Sequence, residues 1–520
     1  MSTAVIEVEP AGKAMSPLAG RRSAGVCMHL SSLPGQHGIG GIGSGARKFV
    51  DTLQSMGLSV WQFLPTGPTA YGDSPYQSLS TFAGNEMLIG VEELIQLGLV
   101  NAGEAEPLRD LPSGFVDYGA LIPIKTLLLA LAADRFEDRA SAELRLKCDE
   151  FVSENDQLWL HDYALYRILK NRHQLAPWTQ WEAEFLRREP QALRRIELEN
   201  ADEIAAIKVT QFLFDYQWQA LREHAARRGV ALFGDMPIYI AHDSADAWAH
   251  PELLQVDALG RPQQVAGVPP DYFSEDGQLW GNPLYDWDHH ARTGYRWWID
   301  RIRQTMKTVD LVRIDHFRGF EAFWSVPAGA NSARGGRWVK GPGDEVFNAM
   351  RQALGNLPII AEDLGVITAQ VDELRQRQNI PGMKVLQFMV GEADMDRSEI
   401  VEDCVCYTGT HDNDTVVGWF NGGPGDIRTP EEIEASRLAV LANTGGRPDS
   451  IHEDLINFAY SSPAAIALAP MQDYLGLGSE SRMNTPGTAS SNWRWRLQPG
   501  QLSPELIQSV AARVTATGRR

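Results

Sequence analysis

Cysteine is scarce in this chain, with only Cys27, Cys148, Cys404 and Cys406 among 520 residues. A disulfide framework for so long a polypeptide would need more, and no second pair joins Cys404 and Cys406 to complete a zinc set. Reduced, buried thiols and a cytoplasmic setting are therefore expected. Positive charge is also short: 47 Lys and Arg against 67 Asp and Glu leave a net charge of −20. Such a field repels polyanions, which argues against nucleic acid and anionic membranes as partners. No apolar run approaches the roughly 18–20 residues a membrane span requires. The N-terminal MSTAVIEVEPAGKAMSPLAG has no basic end followed by an apolar stretch, so residues 1–22 read as a flexible lead-in. HExxH, GxxxxGK[ST] and GxSxG are all missing, and the adjacent rings of His289 and His290 diverge. GIGGIGSG at 38–45 does not follow directly on a strand, as a dinucleotide loop must.

What is present is a globular composition, 43% hydrophobic and 22% charged, with 15 tryptophans. Short apolar runs that end in polar residues recur: GVCMHLSS at 25–32, SVWQFLPT at 59–66, GVALFGDMPIYI at 229–240, DLVRIDHF at 310–317, PIIAEDLG at 358–365, MKVLQFMV at 383–390 and VCYTGTHD at 405–412. Near-continuous apolar character followed by helical intervals (43–57, 292–308, 344–355, 368–378) is the pattern of buried parallel strands. With an eighth strand near 455–470, these runs predict a (β/α)8 TIM barrel over 23–520. The long gap between the second and third runs carries apolar residues at helical spacing, which predicts a helical subdomain at about 90–200 inserted between strands 2 and 3. A Gly-, Pro- and Asp-rich stretch at about 250–290 reads as a long functional loop, and the Gly/Arg stretch at 329–337 as an ordinary one.

Three of the runs turn abruptly charged at their carboxyl ends, where a barrel builds its active site. Arg313 and Asp315 lie two apart on one side of a strand, Glu362 and Asp363 end the next run, and His411 and Asp412 end another. Charges in such apolar contexts are costly unless paired or functional. Two carboxyl groups of unlike protonation are what retaining glycosyl transfer needs, one as nucleophile and one as acid. Arg313 should favour the ionised form of Asp315, which suits the nucleophile and leaves Glu362 as the acid; His411 and Asp412 then bind sugar hydroxyls.

LSSLPG at 30–35, GDSPYQS at 72–78, GDMPIYIAHDSADAW at 234–248, GVPPDYFS at 267–274, WGNPLY at 280–285, RIDHFRG, AEDLG, GTHDND, RMNTPGT and NWRWR occur in this order. On these motifs the chain resembles the 4-alpha-glucanotransferases (amylomaltases or disproportionating enzymes, glycoside hydrolase family 77, within the α-amylase-like clan) over about residues 24–497. The resemblance implies Asp315 as nucleophile, Glu362 as acid and base, and Asp412 as transition-state stabiliser. It implies that Arg313 and His411 hold the nucleophile and donor ring, that Ser74, Asp235, Asp271 and Asn484 contact sugar, and that Tyr71, Tyr76, Phe273 and Trp280 form aromatic platforms. It implies α-1,4-glucans and malto-oligosaccharides as partners, with no metal and no organic cofactor. Glu86 stands where the family often has Pro, and Ser491 where Gly often precedes the Asn-Trp pair. An α-amylase-type hydrolase and a non-catalytic glucan-binding protein are the competing readings.

Overall fold

The computed structural model describes residues 15–520 apart from 71–72, 271–274 and 489–490. In chain order its strands are β1 Ser23–Cys27, β2 Val60–Gln62, β3 Ala231–Pro237, β4 Gln264–Val268, β5 Gln278–Pro283, β6 Leu311–Asp315, β7 Ala322–Pro327, β8 Arg337–Lys340, β9 Ile359–Ala361, β10 Gly382–Val385, β11 Cys404–Tyr407 and β12 Ile466–Pro470. Eight of them form one parallel sheet in the order β10-β11-β12-β1-β2-β3-β6-β9. Its two edges meet: the Ala361 N–H donates to the Pro381 carbonyl at 2.8 Å. The Asp363 carboxylate accepts from the Met383 N–H at 2.8 Å, bridging the same seam. The chain is thus a (β/α)8 barrel.

Side-chain alternation along each strand separates the barrel's contents. Val60, Phe233, Leu311, Ile360, Met383, Val405, Ile466 and Leu468 form an apolar cluster. Two residues further along the same faces come Asp235, Arg313 and Glu362. The outward residues Ala24, Val26, Val312 and Ile314 join the larger core under the helices. The helix Ser44–Ser55 makes its share of that core with Ala46, Phe49, Val50 and Leu53, spaced as one helical face. Leu18 belongs to the inner cluster and is 2% exposed. Residues 16–22 are therefore not a free lead-in: Leu18 packs with the inner cluster, and the Arg22 Nη1 donates to the Ser462 carbonyl at 3.0 Å.

Between β2 and β3 the chain runs mostly through helices, the last being Ala201–Arg227. Gln211 and Gln217 on that helix each make a two-way amide bond to backbone, with Gly84 (2.8 and 3.0 Å) and Gly90 (2.7 and 3.1 Å), so the oxygen and nitrogen of both buried amides have partners. Three further places differ from the sequence reading. Residues 451–461 are helix, and the eighth strand occupies only 466–470. The stretch at 250–290 contains β4 and β5, and the stretch at 329–337 leads into β8. These strands pair antiparallel in a second sheet, β5-β4-β7-β8. Their partners lie up to about 60 residues away, so no local periodicity announces them.

Candidate active site

Strand β6 carries Leu311, Arg313 and Asp315 along one face, from the apolar interior to the mouth. Arg313 is 3% exposed. Its Nε donates to both Asp235 oxygens at 3.0 Å, and its Nη2 donates to Asp315 Oδ1 at 2.6 Å. Asp235 faces it from β3, in register with it. The Tyr76 hydroxyl donates to Asp235 Oδ2 at 2.7 Å. The Asp235 side chain exposes no surface, and the partners it holds in this structure are Arg313 and Tyr76. Both of its oxygens are already engaged by groups that a buried carboxylate requires.

Strand β9 lies beside β6 with Ile314 opposite Ala361, and the register carried one residue further sets Asp315 beside Glu362. Neighbouring strands run about 4.8 Å apart. His316, directly after Asp315, is in the left-handed region at φ 57°. That turn aims its N–H at Glu362 Oε2 at 2.8 Å, while the Leu364 N–H donates to Oε1 at 2.9 Å. A left-handed non-glycine residue costs free energy and needs neighbours to impose it. Trp280 supplies one, packed edge-on against the His316 ring at 4.7 Å.

Burial raises both carboxyls. Asp315 rises to about 6, burial outweighing Arg313. The Arg313 effect expected from spacing is real in sign but smaller than desolvation. Glu362 rises to about 8, through burial first and then the neighbouring Asp315 charge. Two raised carboxyls side by side favour a single proton shared by the pair. Asp412 goes the other way. Burial alone would raise it, but the His411 charge and hydrogen bonds from His411 and Asn484 hold it well below the usual carboxylate range. His411 Nε2 is 3.2 Å from Asp412 Oδ2, and Asn484 Nδ2 donates to Oδ1 at 2.6 Å. Tyr76 stacks on His411 with centroids 5.1 Å apart.

Asp315, Glu362, Arg313, Asp235, Tyr76, His411, Asp412, Asn484 and Trp280 are thus linked in one contact network at the carboxyl ends of the strands. The Ser74 Oγ accepts from the Tyr76 N–H at 3.3 Å and so supports that residue's loop. Tyr71, Asp271 and Phe273 lie outside the described residues. Three members of the network had no role assigned from sequence. Arg482 donates to the Asp412 carbonyl at 2.6 Å. Trp493 packs against both Tyr76 and His411, at 6.0 and 5.8 Å. His29 is buried, and its ring is pushed down to about 3 by burial and then by His411. Each had a signal: Arg482 and Trp493 lie in the RMNTPGT and NWRWR motifs, and His29 follows β1 as the acidic residues follow their strands. Ser491 has φ 68°, which accounts for glycine being common there.

Comparison with known proteins finds relatives along nearly the whole chain. Residues 28–503 match the family described as 4-alpha-glucanotransferase, glycoside hydrolase family 77. A 4-alpha-glucanotransferase of Thermus thermophilus is 46% identical over 506 residues, covering 96% of this chain and 99% of the relative. The chloroplastic/amyloplastic 4-alpha-glucanotransferase DPE1 of Arabidopsis thaliana is 42% identical, covering 95% and 84%. Among solved structures, amylomaltase from Streptococcus agalactiae in complex with acarbose superposes with a TM-score of 0.90 at 34% identity, covering 96% of this chain and all of that one.

Proposed function

This chain belongs to the 4-alpha-glucanotransferase family, and on that premise we propose that it moves α-1,4-glucan segments from a donor maltodextrin to the 4-hydroxyl of an acceptor glucan or glucose. Asp315 is the nucleophile. Arg313 occupies its Oδ1, and the other oxygen attacks the anomeric carbon to form a covalent glucosyl ester. Glu362, protonated at neutral pH, gives its proton to the leaving glycosidic oxygen. A carboxyl oxygen accepts at two positions, so each Glu362 oxygen can hold its backbone N–H and still have a site for the proton. In the second half the acceptor hydroxyl displaces Asp315 while Glu362 takes its proton, which restores the starting state. Asp412, His411 and Asn484 grip donor hydroxyls, and Tyr76, stacked on His411, bounds the donor side. Trp280 lies on the other flank, beside His316.

The observation carrying this reading is the asymmetry of two adjacent carboxyls, one tied to a buried arginine and the other to none. Transfer and not hydrolysis requires an acceptor hydroxyl to outcompete water at the ester, which an aromatic-walled mouth favours. Four buried cysteines without disulfides support a reducing, cytoplasmic setting, and no helix among the described residues is long and apolar enough to cross a membrane.

Incubation with pure maltotriose tests the function. Glucose and longer malto-oligosaccharides are the expected products, whereas reducing ends rising with no longer product would make the enzyme a hydrolase. Asp315→Asn should lower the rate by about 10⁴-fold or more while leaving the melting temperature near that of the parent. Retained activity would remove Asp315 from the nucleophile's place.

A further inference from the structure

Trp338 on β8 plays no part in the network above. Its ring is held yet open. It keeps 39% of its surface exposed, while the Arg318 guanidinium lies 3.7 Å from its ring centroid and Trp324 meets it edge-on at 5.1 Å. Trp324 is its direct cross-strand partner on β7. The end of β8 is fastened to the turn that follows Asp315. Gly341 N–H donates to the Glu321 carbonyl at 2.7 Å and Gly343 N–H to the Phe320 carbonyl at 2.8 Å. A side chain at 341 would run into that turn's backbone, the Gly319 oxygen lying 2.7 Å from where its Cβ would stand. An aromatic residue fixed before a ligand arrives loses little rotamer freedom on binding.

Arg318 locates this ring relative to the chemistry. It lies three residues after Asp315, and its Nη1 donates to the carbonyl of Val366, four residues after Glu362. The clamp therefore joins the loops that leave β6 and β9, at the barrel mouth. The acid stands at the leaving oxygen, so the loop beyond it borders the space taken first by the leaving group and then by the acceptor. Val366 is itself half exposed there.

We propose that Trp338 is a stacking platform for an acceptor α-1,4-glucan, receiving the apolar face of a glucose ring several residues from the one whose hydroxyl reacts. Glucose alone is too short to reach it. The proposal rests on Glu362 being the acid, which defines the acceptor side.

The test uses α-maltosyl fluoride blocked at its non-reducing 4-hydroxyl, which can donate but cannot accept, with glucose or maltopentaose as acceptor. Trp338→Ala should raise the KM for maltopentaose about tenfold, the size of one lost aromatic contact. The KM for glucose and kcat with either acceptor should stay within about twofold. Trp338→Phe should recover most of the loss. If Trp338→Ala does not fold, Trp338→Leu keeps apolar bulk without a flat ring and must give the same split. The proposal is overturned if both acceptors respond alike or if neither responds. Glu362→Gln measured in parallel isolates the underlying reading: undiminished turnover of maltotriose by that variant would refute the acid assignment whatever Trp338 does.

Discussion

Arg519, near the chain's end, and Arg313, at the barrel mouth, are equally buried, each 3% exposed, and their surroundings differ in kind. Arg519 donates to five backbone carbonyls, those of Tyr460, Ser23, Ala464, Ala459 and Ser462, at 2.7–3.2 Å. Two of these flank the starts of β1 and β12, so Arg519 belongs to the barrel's base. Among the described residues no carboxylate pairs with its charge, and it is pushed down to about 10 by burial and by Arg22. Arg313 has two carboxylates, Asp235 and Asp315, and they outweigh burial and raise it well above its ordinary value. The lesson is that burial alone does not mark function. A buried cation on neutral dipoles ties chain segments together, whereas one shared between a sealed and an accessible carboxylate orients a reactive group.

The sharpest way to break this comparison is to remove each charge. Arg313→Met leaves the sealed Asp235 uncompensated and should cost about 3–5 kcal/mol of stability. It should also lower kcat by about 10²–10³-fold. Adding Asp235→Asn should restore much of the stability, seen as recovered melting temperature, and none of the activity. Arg519→Met should cost about 1–3 kcal/mol through unsatisfied carbonyls with kcat unchanged below the melting transition. A comparable loss of kcat there would erase the distinction.

The pH profile sharpens it further. With Asp315 as the proposed nucleophile and Glu362 as the proposed acid, kcat/KM should rise through about 6 and fall through about 8. Arg313 lowers both carboxyls, so Arg313→Met should move both limbs upward, whereas Arg519→Met should move neither. The same shifts bear on stability. Both carboxyls have folded-state values above their ordinary ones, so their contribution is fully present below the ordinary range and lost as pH rises through about 6 and then 8. Glu362→Gln should therefore narrow the loss of melting temperature between pH 6 and 9. The smallest effect expected is Ser491→Gly, which relieves a left-handed backbone and should raise stability by less than about 1 kcal/mol, read by denaturant titration.

Much of the site was legible because a strand's alternation is local. Arg313 and Asp315, two apart at the end of an apolar run, had to share a face, and Glu362 ended a neighbouring run in the same manner. The contacts of Trp493, Arg482 and Asp235 were not legible in that way. Their significance lies in what they touch across long stretches of sequence, and a single tryptophan or aspartate has the same composition whether it packs, pairs or binds. The second sheet escaped for a related reason, since β4 and β7 are joined by a register that no segment encodes alone. Residues 16–22 look like a tail in sequence because nothing local shows that the barrel's interior takes up Leu18.

By itself, the order of apolar and charged residues determined a parallel barrel with acidic strand ends, since burying such runs requires covered strands and exposes their polar termini at one rim. Only the tertiary structure decided how strongly the two carboxyls are raised. That depends on the balance between desolvation, the reach of Arg313 and the nearness of Asp315 to Glu362, and each of these exists only when strands far apart in sequence lie side by side.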